Sequence, residues 1–104
     1  MIILSEFKDM LKASGYPVAY LSWPKNAAPP MPYICYYTNG SDNFAADGTV
    51  YYPVAQVQVE LYTEIKDPEA EAALEKALAS FYWNKTETYI NKEKCFQISY
   101  EIEV

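Results

Sequence analysis

Fourteen carboxylates, two thiols and no imidazole are the reactive inventory of this 104-residue chain. A nucleophile needs a base to take its proton, and without histidine that base would be Asp, Glu or Lys. No Ser or Cys sits in a strained, glycine-flanked turn. Glu101 and Glu103 share one strand face, and Glu60 can oppose them from another strand. Acid–base work would require burial to split their pKa values, and the pattern reads instead as a solvated acidic face. Asp42 and Asp47-Gly48 suggest a calcium loop, but a count begun at Asp42 puts Phe44 and Ala46 where oxygen ligands are needed. Turn chemistry explains them better. Cys35 and Cys95 lie 60 positions apart, a spacing that fits neither a zinc knuckle nor a CxxC pair. A disulfide would need their strands to lie together, and the expectation is reduced, mostly buried thiols. The reading names no catalytic, cofactor-binding or metal-binding residue, and the chain is expected not to be an enzyme.

Charge narrows the partners. The net charge is −6, from 14 acidic and 8 basic residues. The basic residues are scattered, and the longest grouping, Lys92-Glu93-Lys94, is interrupted by its own glutamate. A phosphate backbone selects clustered cations, so direct nucleic-acid binding is not expected. A hydrophobic fraction of 51% with 21% charged residues is that of a globular chain, expected to form one domain over residues 1–104. No stretch approaches the roughly 20 apolar residues of a membrane span. The short apolar start lacks the basic flank of a signal peptide, so a soluble, intracellular protein is expected and the Asn84-Lys85-Thr86 sequon is incidental. The 11 tyrosines suit half-wet strands or a protein interface.

The positioning elements follow from periodicity. Ile3, Phe7, Met10 and Leu11 mark one face of a helix over about Ile3 to Ser14, capped at Gly15 and stopped by Pro17. Val18 to Trp23 reads as a short strand ended by Pro24. Pro29, Pro30 and Pro32 make the next segment an extended connector, and Tyr33 to Thr38 is a strand. Turn residues from Asn39 to Gly48 predict a loop or a long hairpin tip. Thr49 to Thr63 is one long strand, or two pieces with a bulge near Pro53. Beyond Pro53, Val57, Val59 and Leu61 face one way and Gln56, Gln58, Glu60 and Tyr62 the other.

Asp67 is a good N-cap, Pro68 fits the first helical position, and Glu69 and Glu71 complement the helix dipole. The apolar stripe Ala70, Ala73, Leu74, Ala77, Leu78, Phe81 and Tyr82 predicts a helix from Asp67 to Trp83. A short strand over Thr86 to Ile90 and a turn at Asn91-Lys92 follow. In the last strand, Lys94 to Val104, Phe96, Ile98, Tyr100, Ile102 and Val104 alternate with Cys95, Gln97, Ser99, Glu101 and Glu103. The expected architecture is α+β: a two-layer sandwich in the order α-β-β-β-α-β-β, with a mainly antiparallel sheet of four or five strands and both helices on one face. Gln56, Gln58, Glu60 and Tyr62, with Gln97, Ser99, Glu101 and Glu103, then form one polar surface, solvated or at an interface.

The order of elements resembles a known family. The N-terminal helix, the proline-rich connector before Tyr33-Ile34-Cys35-Tyr36, and Val57-Gln58-Val59-Glu60-Leu61-Tyr62-Thr63 leading into Asp67-Pro68-Glu69-Ala70-Glu71 look like the small tail-completion proteins of long-tailed bacteriophages and prophages. The closing strand ending in Tyr100-Glu101-Ile102 does too. The resemblance covers nearly the whole chain and rests on element order and on the Leu61-Tyr62-Thr63 to Asp67 junction.

It implies a tail terminator or head–tail joining protein that forms a ring, usually hexameric, caps the tail tube and docks to the head connector. Such proteins are structural components of the virion, need no cofactor and assemble in the host cytoplasm. An interface is then expected at Gln56, Gln58, Glu60, Tyr62, Glu101 and Glu103, and at Asn39, Asp42, Phe44 and Asp47 of the loop. The alternatives are another virion joint, such as a head-completion or minor capsid protein, or a small-ligand or peptide-binding domain with a pocket between helix and sheet.

Overall fold

The Asp67 carboxylate accepts a hydrogen bond from the Ala70 amide at 3.0 Å, and Pro68 follows it at the start of a helix. That helix is α2 (Pro68–Ala77) of a computed structural model whose described residues are 4–23, 28–46 and 49–103, with side chains over 6–23, 28–38 and 56–102. The other elements are α1 (Leu4–Lys12), β1 (Val18–Tyr20), β2 (Tyr33–Ala46), β3 (Thr49–Thr63), β4 (Trp83–Ile90) and β5 (Cys95–Glu103). The five strands form one sheet in the order β1-β2-β3-β5-β4. The protein is thus the expected two-layer α+β sandwich in the expected chain order.

Both helices cover the same sheet face. Phe7 and Leu11 of α1 join Ala70 and Leu74 of α2, with Leu78 just beyond it, in a cluster with Val18, Ile34, Tyr36, Val57, Val59, Leu61, Ile98, Tyr100 and Ile102. Burying each Leu, Ile or Phe here contributes on the order of 1.5–3 kcal/mol. Gly15 ends the first helix with a φ of +94°, a conformation that costs glycine little.

Several boundaries differ from expectation. The first helix spans Leu4–Lys12, and Ile3 lies outside the described residues. Strand β1 stops at Tyr20 because Leu21 turns to a φ of 66°, while its amide donates to the Tyr36 carbonyl at 2.7 Å; Pro24 lies outside the described residues. β1 also pairs with β2 in parallel, Val18 opposite Ile34, because the connector returns the chain along the length of β1 before β2 begins. The second helix ends at Ala77, not Trp83. There the Leu78 amide reaches both the Leu74 and Glu75 carbonyls and tightens the last turn. Phe81 is half-buried against the core, Tyr82 is 96% exposed, and Trp83 opens β4 opposite Ile102. β4 starts three residues earlier than Thr86, and β5 begins at Cys95; Val104 lies outside the described residues.

The segment expected to be a loop or a long hairpin tip is mostly strand. β2 continues to Ala46 and pairs with β3 down to Ala46 opposite Thr49, with Asp47 and Gly48 outside the described residues. Pairing of β3 with β5 begins only at Gln56, and β1 pairs with β2 only as far as Tyr36. Past those rows the hairpin is a two-stranded ribbon, and the molecule measures 49 × 26 × 23 Å. Pro53 itself pairs with Asn43, and the expected irregularity falls two residues away, at Tyr51, which has no partner between the Tyr52–Phe44 and Val50–Ala45 pairs. A second register slip, on β2, falls at Asn39, between Thr38 and Gly40. A proline is tolerated in a ribbon because its missing amide can face an unpaired edge.

Candidate interface on the open face of the sheet

The period of two in β3 and β5 sends one set of side chains into the helices and the other to the opposite face. Register sets the second group in rows. Tyr37, Gln58 and Glu101 lie side by side, then Cys35, Glu60 and Ser99, then Tyr33, Tyr62 and Gln97. Gln56 lies between Gly40 and Glu103. The polar residues Gln56, Gln58, Glu60 and Tyr62 do therefore share a surface with Gln97, Ser99 and Glu101, and the backbone of Glu103 pairs beside Gln56. Asn39, Asp42 and Phe44 belong instead to the backbone of the ribbon strand, and Asp47 lies outside the described residues.

This surface has a centre that a solvated strand face lacks. Glu60 is only 8% exposed. Its Oε1 accepts from the Tyr62 hydroxyl at 3.2 Å and its Oε2 from the Gln97 amide at 2.5 Å, while Gln97 also donates to the Tyr62 oxygen at 3.0 Å. The Tyr33 and Tyr62 rings lie 5.3 Å apart, and the Trp23 indole meets Tyr33 edge-on at 5.9 Å. Burial pushes the Glu60 carboxyl above its ordinary range, and hydrogen bonds from Tyr62 and Gln58 only partly offset it. The Cys35 thiol is pushed up to about 11, first by burial and then by the Glu60 charge.

An acid whose pKa rises on folding loses stability when it ionises. The cost is absent below the unfolded value near 4.5 and complete above the folded one. Glu60→Gln is therefore expected to stabilise the protein at pH 7 by on the order of 1 kcal/mol, the relief of a buried charge held by neutral donors. The gain shrinks as pH falls toward 4.5. Urea melts of both proteins across that range check it; equal stability at neutral pH refutes it.

The thiols do not bridge. β3 separates β2 from β5, so Cys35 and Cys95 stand two strand spacings apart, roughly 9 Å or more, beyond disulfide reach. Both are free and buried. Among the described residues no group of three potential metal ligands forms, and no helix is long and apolar enough to cross a membrane.

A cavity of about 210 Å³ lies elsewhere, at the end of the sheet, between Gln56, Val57, Tyr82, Trp83, Asn84, Glu101 and Ile102. It is smaller than the roughly 300–1,000 Å³ of small-molecule sites, and of the tyrosines only Tyr82 lines it. That is not the tyrosine-lined pocket between helix and sheet that a ligand-binding domain would present.

Sequence reasoning missed the contribution of β2. Tyr33, Cys35 and Tyr37 alternate with Ile34 and Tyr36, yet the run is apolar throughout and its two faces look alike. Their half-burial or burial on the open face is visible only once Glu60 is placed beside them. Trp23, expected at the end of a strand, lies past β1 and borders this face from the connector. The chain matches no protein-family model and no curated protein.

Proposed function

We propose that this protein is a tail terminator or head–tail joining component of a phage or prophage, assembling into a ring that caps the tail tube and meets the head connector. The observation that supports the reading best is the ribbon beyond the Gly40–Gln56 row. A two-stranded ribbon is at best marginally stable alone in water, and one attached to a small domain gains a reason to persist if it lies on a neighbour.

Among the described residues the sheet also lacks a strand partner at both sides: at the outer edge of β4, and at the outer edge of β2 beyond Tyr36. Two different edges on opposite sides favour a head-to-tail contact, the kind that closes into a ring. The net charge of −6 suits a channel through which DNA must pass without sticking. In this reading the protein is a structural part of the virion, not a catalyst.

Light scattering on the purified protein is expected to give a multiple of the 11.9 kDa chain mass. Replacing residues 40–55 by Asn-Gly is expected to return it to a folded monomer, and electron microscopy should place the intact protein on tail-tube ends. A monomeric intact protein that ignores tail tubes, or one that adheres to heads alone, overturns the proposal.

A further inference from the structure

Two glutamates are buried in this protein, and their surroundings differ in kind. On the helix-covered side, Glu71 is 4% exposed and has Lys66 at 2.8 Å and Lys85 at 2.6 Å. On the open face, Glu60 is 8% exposed and is met by a phenol and amides alone. Among the described residues no lysine forms an ion pair with it. Lys66 and Lys85 are engaged with Glu71, Glu75 and Glu87. Lys8 and Lys12 belong to α1, Lys76 to α2, and Lys92 and Lys94 to the turn before β5, while Lys25 lies outside the described residues.

A buried carboxylate without a cation costs stability. The cost is understandable if a cation arrives from outside. We infer that the open face of the sheet docks an arginine presented by a different protein, with Glu60 as its anchor and the Tyr33–Tyr62 ring pair as its wall.

Three features fix the chemistry of the occupant. The face carries negative charge, with the buried Glu60 at its centre and the exposed Glu101 in the next row. Face-to-face pairing of two copies would therefore set like charges together. The aromatic row Trp23, Tyr33 and Tyr62 flanks the carboxylate, and a flat guanidinium stacks on such rings while forking onto a carboxylate, which an ammonium does not do. Finally, all eight basic residues of this chain are lysines, so an arginine cannot come from a second copy. The inference does not depend on which assembly the protein serves.

Titration of the full chain with Nα-acetyl-L-argininamide, followed by amide chemical shifts, tests it. Saturable shifts are expected at Cys35, Glu60, Tyr62 and Gln97, with a Kd on the order of millimolar, the strength of one desolvated contact. Glu60→Gln is expected to weaken binding at least about tenfold while the rest of its spectrum superposes on the parent. Tyr33→Leu should weaken it as well, and Glu69→Gln, at an exposed acid of α2 in the helix layer, should leave it within about twofold. The absence of saturable shifts overturns the inference. So does equal binding of Nα-acetyl-L-lysinamide or of the citrulline analogue, or a loss in Glu69→Gln as large as in Glu60→Gln.

Discussion

Replacing Tyr100 by alanine lowers the free energy of unfolding by about 4 kcal/mol, within the usual range for removing a buried aromatic side chain. Tyr100 is the largest fully buried side chain among the described residues. Its ring meets Trp83 edge-on at 5.2 Å, and Lys85 Nζ stands 5.9 Å above it. Its hydroxyl donates to Glu75 Oε2 at 2.8 Å, tying β5 to α2.

Alanine thus leaves a ring-sized cavity and removes one link between the layers. For a domain of this size the midpoint should fall by roughly 15–30 °C, a large part of the 5–15 kcal/mol that typical domains possess. Tyr100→Phe keeps the ring and drops only the hydrogen bond, so about 1 kcal/mol is expected. Calorimetry on the three proteins separates packing from bonding. Equal losses in both variants would place the stabilisation in the hydroxyl and refute the packing account.

Replacing Glu71 by glutamine is expected to cost about 2 kcal/mol at pH 7. Breaking a buried ion pair typically costs roughly 3–5 kcal/mol. The discount reflects Lys66 and Lys85, which are 47% and 33% exposed and keep Glu87 and Glu75 as partners. Burial raises the pKa of Glu71, but hydrogen bonds and charge from the two lysines outweigh it and hold the carboxyl below its ordinary 4.5.

A lowered folded pKa gives stability that is present above the unfolded value and lost as pH falls through the folded one. The difference between parent and variant should therefore be full at neutral pH and close below about 4.5. Denaturant melts from acid to neutral pH check this. The sign is opposite to that of Glu60→Gln, so one titration series distinguishes the two buried acids.

That contrast marks where reading the chain alone succeeds and where it stops. Asp67, Pro68 and the spacing of Ala70, Leu74 and Leu78 specify α2 because caps and helical periodicity are local. Val57, Val59 and Leu61 against Gln56, Gln58, Glu60 and Tyr62 specify the two faces of β3 for the same reason. The end of α2 was not legible, because Phe81 and Tyr82 continue the helical spacing while Trp83 is claimed by its partner Ile102 across the sheet. Asn39-Gly40-Ser41-Asp42-Asn43 reads as a turn by composition, yet pairing with β3 holds it in a strand.

Glu60 and Glu71 show the division most sharply. Periodicity placed Glu60 on the polar face of β3, and the first turn of α2 placed Glu71 beside a helix dipole. Neither position says that both are buried, nor that among the described residues one has two cations and the other none. Local order, helix caps and strand alternation depend on neighbours within a few residues, so the chain carries them by itself. Burial and charge balance at a residue depend on partners from distant segments: Lys66 and Lys85 for one glutamate, Tyr62 and Gln97 for the other. Only the register of β3 against β5 and the docking of α2 on the sheet decide those.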